Sequence, residues 1–395
     1  MRDMKKDWEI KKLGEVCEFR NGSAHEREID ENGKYILVNS KFISSDAEIY
    51  KRTNAVLSPL SIGDIVFVMS DVPNGKALAK CFIIDKNNTY TLNQRIGAIR
   101  SNLFDTRFLY YELNRHKYLL SFDNGENQTN LRKNDILNTP LILPPLPEQR
   151  RIVSVLDKCF TAIDKAKTNA EQNLKNAKEL FESYLEMFFS EIYSSNETRI
   201  ISKVAKVIGG YSFKSKDFKK FGKYQVIRMG NVRPGIIREN ENPVFINDLD
   251  DKTLAKALLL PNDVIITQTG TKKKRDYGFT VIIEKTNYVL NQRIAAIRFS
   301  ELYLPKFFLY FSWTNIFKDQ YFANETGTVG QGNVGIGAIT DAKIPVISIK
   351  QQEKIIEKIE ALRAQTQKLE TVYKKKISDL AELKKSILQK CLNCD

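Results

Sequence analysis

Two textures of hydrophobic patterning alternate along this chain, and each occurs twice. Over residues 8–145 the apolar residues gather in short runs broken by Gly, Asn and Pro: Tyr35–Val38, Ile65–Met69, Cys81–Ile84 and Ile96–Ile99. Runs of this length between turn-formers predict strands. Residues 200–346 repeat the texture with Gln225–Arg228, Val264–Thr267, Thr280–Ile283 and Ala295–Arg298. The aromatic stretches Phe104–Leu120 and Leu304–Phe322 read as helical in both copies. The economical reading is an α+β domain of about 145 residues, used twice.

After each such region the period changes. In LPPLPEQ (143–149) the prolines at 144, 145 and 147 forbid a continued helix or central strand and close the domain. From Arg150 to about Phe189, apolar residues such as Ile152, Leu156, Cys159, Ile163 and Ala166 recur at spacings of three and four. From Gln351 to about Leu392 the series runs through Ile355, Ile359, Leu362, Leu369 and Tyr373, with Thr366 and Lys376 as polar interruptions. This predicts a coiled-coil seam on two helices of about 40 residues, each about 60 Å long. Two seams in one chain most simply pack on each other, antiparallel if a pseudo-twofold axis relates the copies. That one or both stripes bind other proteins stays open. The expected boundaries are domains at 1–145 and 196–349 and helices at 146–195 and 350–395.

The duplication is visible residue by residue. LNQRIGAIR (92–100) and LNQRIAAIR (290–298) match at eight of nine positions. Lys34-Tyr35-Ile36 answers to Lys223-Tyr224-Gln225, Gly63-Asp64-Ile65-Val66 to Asn262-Asp263-Val264-Ile265, and Gln149–Val153 to Gln352–Ile356. The offsets drift from 189 to 203, as they do when loops lengthen around a fixed framework. Two long copies make no solenoid. They suit a chain that imitates a symmetric dimer and addresses a two-part target.

Charge adds a partner class. The formal net charge is +14, and residues 196–349 hold 23 Lys and Arg against 14 Asp and Glu. Lys214, Lys216, Lys219, Lys220 and Lys223 form one cluster, and Lys272–Arg275 another. Such clusters attract polyanions, of which nucleic acid is the commonest in a cytoplasm, although a solvated lysine-rich surface has the same composition. No apolar run reaches the roughly 20 residues of a membrane span, and the polar start MRDMKKDWEI is not a signal peptide. Cys17, Cys81, Cys159, Cys391 and Cys394 are an odd, scattered set, which fits reduced thiols and a cytoplasmic location.

WEIKKLGEVCEFRNG (8–22), SIGDIVFVMS (61–70), the LNQR segment and NQTNLRKNDILNTPLILPPLPEQRRIVSVLD (127–157) together resemble the specificity subunit of type I restriction–modification enzymes. The resemblance covers the whole chain. The second copy departs from it: its opening Ile200–Val204 lacks Leu-Gly-Glu, and IPVISIKQQEKI (344–355) keeps one proline where the first copy has three. The resemblance implies two target-recognition domains, each reading a short half-site in double-stranded DNA, with the helices setting their distance. It implies a non-catalytic chain that binds no cofactor of its own. Two methyltransferase subunits using S-adenosylmethionine, and motor-nuclease subunits using ATP and Mg for restriction, are the implied partners. Diverged domains imply an asymmetric bipartite site.

The loops after Ile65–Met69 and Val264–Thr267 are the first candidates for DNA contact. They offer Ser70, Asp71, Asn74 and Lys76 in one copy, and Gln268, Thr269, Lys272, Lys273, Lys274, Arg275 and Tyr277 in the other. Asn and Gln pair bidentately with adenine and Arg or Lys with guanine, while other lysines neutralise phosphate. Gly75 and Gly270 permit close backbone approach. Asn39, Arg228 and Asn231 are second candidates. Arg95 and Arg293 lie in the segment shared by both copies, so they fit phosphate or framework better than base reading; Gln94 and Gln292 fit framework.

Several catalytic motifs fail on context. Gly330–Gly335 matches GxGxxG but lacks a preceding strand and a βαβ unit, which leaves a flexible loop. Asn242-Pro243-Val244-Phe245 lacks the second proline of an amino-methyltransferase motif, and Asp248–Asp251 has no nuclease-like lysine. Only His25 and His116 are present, which speaks against a histidine-based metal site or hydrolase, and Cys391/Cys394 form one CxxC without a second pair. The rival readings are a self-contained DNA methyltransferase or nuclease and a coiled-coil protein-interaction scaffold.

Overall fold

The computed structural model describes residues 8–25, 27–328 and 330–393. The chain divides into two compact units, Met1–Asn169 with Lys376–Asp395, and Ala170–Lys375. Cys394 lies outside the described residues.

In the first unit a four-stranded antiparallel sheet runs in the order Glu18–Asn21, Ile96–Arg100, Ile65–Val68, Cys81–Ile83. A three-stranded sheet follows the order Lys51–Thr53, Tyr35–Val38, Tyr90–Leu92, the last two parallel. Glu9–Lys12 pairs with Pro140–Leu143 and ties the two ends of the domain together. The second unit repeats this plan with Ala205–Gly209, Ile294–Phe299, Val264–Thr267 and Thr280–Ile282, then Phe245–Ile246, Tyr224–Ile227 and Tyr288–Leu290. Thr198–Ile200 pairs with Lys343–Pro345 as its closing bridge.

The central strands read as unbroken apolar runs because both of their faces are buried. Along Ile65–Val68, Ile65 and Phe67 enter one core while Val66 and Val68 enter another. Val264 and Ile266 part from Ile265 in the same way.

Each aromatic stretch is helical, as expected, and divides into two helices, Thr106–Leu113 with Lys117–Leu120, and Pro305–Phe311 with Asn315–Phe322. In the first copy Arg115 takes a left-handed φ of +60°, and the His116 ring accepts the Tyr118 N–H to start a new helix. In the second, Ser312 Oγ turns back onto the Leu309 carbonyl and Thr314 caps the next helix. Aromatic density conceals such breaks because both halves point into the same core.

The long helices span Leu146–Ser195 and Ile349–Asn393, against the expected 146–195 and 350–395. Pro147 sits in the first turn of its helix, where its missing N–H has no intrahelical acceptor to disappoint. The 50-residue helix is about 75 Å long. In the first unit, Ile152, Leu156 and Phe160 share a core with Leu392 and are flanked by Leu380 and Ile387, and Lys384 pairs with Asp164 at 2.8 Å. In the second unit, Leu185 and Phe189 share a core with Ile356 and Ile359. The start of one helix meets the end of the other in each unit, so the seams run antiparallel. Thr366 is buried, its hydroxyl donating to the Leu362 carbonyl at 3.1 Å, so the polar interruption costs no unpaired group. No described helix is long and apolar enough to cross a membrane.

Candidate nucleic-acid interface

The repeated LNQR segment is a corner between the two sheets. Tyr90–Leu92 ends one sheet, Asn93–Arg95 turns, and Ile96–Arg100 enters the other. The Asn93 N–H reaches the Val38 carbonyl at 3.1 Å and the Met69 N–H reaches the Arg95 carbonyl at 3.2 Å. In the second unit the Asn291 N–H donates to Ile227 at 3.2 Å and the Gln268 N–H to Arg293 at 2.9 Å. Gly22 and Gly210 press on this corner so closely that a Cβ would fall 2.1 Å from the Asn93 carbonyl oxygen and 1.9 Å from that of Asn291. The corner therefore gathers the carboxyl ends of three strands at one edge of each domain. The residues that follow those strands share the edge: Asn39, Ser70 and Arg95 in one unit, Arg228, Gln268, Thr269 and Arg293 in the other.

Buried polar groups without partners concentrate there. Among the described residues four buried side-chain polar atoms lack a hydrogen bond, and Asn93 Oδ1, Asn291 Oδ1 and Arg228 Nε are three of them. Natural interiors leave few such groups, so their concentration marks an edge that meets a polar ligand more readily than an apolar one. In the second unit Arg228, Asn242, Asn291, Gln292 and Arg293 line a cleft of about 340 Å³. Arg228 Nη2 donates to the Asn242 carbonyl at 2.5 Å, which fixes one side of the guanidinium. Arg293 has φ +67°, and its Nη1 donates to Asn333 Oδ1 at 3.3 Å. Two guanidiniums in a cleft of this size suit a phosphate or a guanine edge.

Other candidates turn out to be framework. Asn231 is buried, with Nδ2 donating to the Arg238 and Glu241 carbonyls and Oδ1 accepting from the Arg228 N–H. Both Nδ2 hydrogens are spent within the protein, so its amide cannot make the bidentate contact with adenine, which corrects its reading as a base contact. Gln268 Nε2 donates to the Val334 carbonyl at 3.1 Å, and Thr269 Oγ1 to Asn333 Oδ1 at 2.7 Å, both residues being buried. Tyr277 is a core residue whose hydroxyl is hydrogen-bonded to Glu325. Ser70 is buried, its Oγ accepting from Gln128 Nε2 at 2.8 Å. Asn39 Oδ1 caps the helix Ser40–Ser44 by accepting the Phe42 N–H at 2.9 Å.

The outward-facing groups sit on stiffened loops. Asp71 Oδ2 accepts the Ala77 and Leu78 N–H groups at 2.7 and 3.0 Å, and Asn74 Nδ2 donates to the Gly125 carbonyl at 3.2 Å. Asn74 and Lys76 stay exposed. In the other unit Asp276 Oδ1 accepts the Thr271 N–H at 2.6 Å, and the loop presents Lys273, Lys274 and Arg275 to solvent with Lys272 half-buried. Arg275 stacks its guanidinium 4.8 Å from the Phe322 ring centre. Gly75 and Gly270 are required by the loops themselves: a Cβ would fall 2.1 Å from Asp71 Oδ2 or 2.7 Å from Asp276 Oδ1. Arg95 and Gln94 are exposed at the corner, and Gln292 Oε1 accepts from Ser212 Oγ at 3.1 Å.

The sequence reading missed Asn333, which bridges Thr269 and Arg293, and the hairpin that carries it. Gly330–Gly335, expected as a flexible loop, contributes the strand Gln331–Asn333 paired with Thr326–Thr328. The Asp248–Asp251 run is a helix start, Asp250 accepting the Thr253 N–H at 2.7 Å. His25 is buried against the Ser23 carbonyl and Thr91 Oγ1. His116 is half-buried and pushed down to about 4, chiefly by burial.

A family model described as the type I restriction modification DNA specificity domain matches the chain twice, over residues 5–175 and 193–386. The chain belongs to this family. Its two matches cover both copies of the repeat, and the family's role is DNA sequence recognition. The type I restriction enzyme EcoBI specificity subunit of Escherichia coli is 21% identical over 76% of this chain and 68% of its own length. The MjaVIII specificity subunit of Methanocaldococcus jannaschii is 21% identical over 90% of this chain and 86% of its own. Among solved structures, the HsdS subunit of Thermoanaerobacter tengcongensis superposes with a TM-score of 0.59 at 16% identity, covering 98% of this chain and 97% of that one. A structure described as the basis of complex assembly and conformational transition of the type I R-M system gives 0.76 at 17% identity, covering 99% and 98%. These likenesses agree on the fold.

Proposed function

We propose that this chain reads an asymmetric, bipartite site in duplex DNA, one half-site per recognition domain (1–145 and 196–349). The long helices act as the spacer and dock two methyltransferase subunits. One observation carries the reading: the same corner and clamps occur in both units, while the side chains mounted on them differ. Asn39 stands where the second unit has Arg228, and Asp71–Ala77 where it has a loop of three lysines and an arginine. A constant frame with variable edges suits two readers of different sequence.

In this reading Arg228 and Arg293 take a guanine edge or phosphate in the cleft, and Lys272–Arg275 neutralise backbone phosphates. Asn74, Lys76 and Arg95 serve the first half-site. The long helices suit major grooves recurring about every 34 Å on one face of the duplex. Chemistry belongs to the partners: methyl transfer from S-adenosylmethionine, and ATP- and Mg-dependent cleavage by motor-nuclease subunits where these are present. This chain supplies the address in the cytoplasm.

The test is genome-wide adenine methylation in the source strain with and without this gene. Loss of one bipartite, asymmetric methylated motif supports the reading. No change, with the methyltransferase confirmed expressed, favours a coiled-coil scaffold.

A further inference from the structure

The corner that opens the three-stranded sheet is built alike in both units and furnished oppositely. The Lys34 N–H donates to Asn54 Oδ1 at 3.1 Å, and the Lys223 N–H to Asn247 Oδ1 at 2.7 Å. Each ammonium lies over the next tyrosine ring, 5.5 Å from the centre of Tyr35 and 5.1 Å from that of Tyr224. The glycine before each lysine is pressed tight: a Cβ on Gly33 would fall 2.5 Å from the Thr53 backbone, and one on Gly222 would fall 2.6 Å from Asn247 Oδ1. Paired backbone bonds of 2.9 Å between Lys219 and Phe245 hold the second corner further. The tip is therefore a fixed platform.

What stands on the platform differs. Residues 24–34 read AHEREIDENGK, four acids against two bases, with Asn32 at the tip. Residues 213–223 read FKSKDFKKFGK, five lysines against one acid, with Phe221 at the tip. Phe221 is 84% exposed, more than any other large hydrophobic side chain among the described residues. Aromatic ring and net positive charge arrive together, and in the first unit both are absent.

We propose that Phe221 is a wedge that stacks on, or inserts between, base pairs of duplex DNA, seated by Lys219, Lys220 and Lys223 on the flanking phosphates. The proposal rests on the DNA-binding reading above. Water gives an aromatic ring no reason to stand out on a pinned corner. Duplex DNA offers what this corner lacks: rows of negative charge beside stacked aromatic planes. An anionic membrane surface offers charge and an apolar layer but no stacked aromatic planes.

The experiment uses the full chain with a duplex containing its methylated motif, and wild type, Phe221→Ala and Phe221→Trp. Phe221→Ala is expected to weaken binding about tenfold with an unchanged salt slope, because the ring is lost and the lysines are kept. Phe221→Trp is expected to retain affinity, and its emission, above the background of the two native tryptophans, to be quenched by DNA. Wild-type binding with Phe221→Ala equally tight and Phe221→Trp unquenched overturns the wedge and leaves the DNA-binding reading standing. A Phe221→Trp blue shift with phosphatidylserine vesicles, without quenching by DNA, overturns it in favour of a membrane surface. Failure of wild type to bind any duplex at low salt overturns both.

Discussion

Arg298 holds Asp263 through two parallel hydrogen bonds of 2.7 Å, Nε to Oδ1 and Nη2 to Oδ2. Arg100 meets Asp64 in the other copy, Nε to Oδ1 at 2.7 Å, and Arg20 joins it there. Each aspartate is 1% exposed and also accepts a backbone N–H, Leu260 on Asp263 and Ser61 on Asp64. A buried carboxylate stripped of its guanidinium is an uncompensated charge. Arg298→Met should therefore lower the stability of the second unit by about 3 kcal/mol, and adding Asp263→Asn should recover part of that loss. Urea unfolding followed by circular dichroism checks this; an unchanged midpoint for Arg298→Met would show that the pair does not hold the sheet edge.

Glu112 is buried against the strand Pro140–Leu143, its Oε1 accepting the Ile142 N–H at 3.3 Å. Burial pushes its pKa up from the ordinary 4.5 to about 7. Because the folded state binds the proton more tightly, stability is highest below about pH 4.5 for this group, falls through the interval to 7 and stays reduced above it. The full difference is about 3 kcal/mol. Glu112→Gln should thus stabilise the protein at pH 8 and lose that advantage by pH 5. The second copy carries buried Phe311 at the matching place, so the site tolerates a neutral group. Thermal unfolding of both proteins across this range decides it, and a pH-independent difference would refute the titration.

The repeats that were visible in the sequence prove to be the framework. Gln149 and Gln352 are fully buried and make the same three bonds: Oε1 accepts the Asp105 or Leu304 N–H, and Nε2 donates to Leu103 and Pro144, or to Leu302 and Ile347. Gly63 and Asn262, unlike in name, share the left-handed backbone at φ +86° and +71° that the turn before the aspartate needs. Strands were legible because they are apolar on both faces, and the seam because its period is helical. Roles fixed by distant partners were not legible: Gln268 is spent on Val334 and Tyr277 on Glu325, contacts that no local pattern encodes. Phe221 was missed because an aromatic residue reads as core unless the structure turns it outward.

Lys273, Lys274 and Arg275 project from a loop tied down by Asp276, with Lys272 beside them. Replacing all four with alanine should weaken DNA binding and flatten the dependence of log K on log salt by up to about 0.9 for each charge that had met a phosphate. Fluorescence anisotropy between 50 and 200 mM salt measures the slope. A slope equal to wild type would remove this loop from the phosphate contacts even if affinity fell.

The spacer reading makes a prediction about length that no change in surface charge can imitate. The seam is antiparallel in each unit, so lengthening one helix alone would slide every later contact, Lys384 on Asp164 among them. Seven residues added after Asn169 and seven after Lys375 keep the phase of a heptad in both helices while separating the halves by about 10 Å, or about three base pairs. The expected outcome in methylation sequencing is a motif with both half-sites intact and a longer spacer. Four residues, about one helical turn, added to each helix instead form a stutter that a coiled coil absorbs by local unwinding, and should lengthen the spacer by about two base pairs with both half-sites intact. If the seven-residue insertion changed a half-site and left the spacer alone, the helices would not be the ruler.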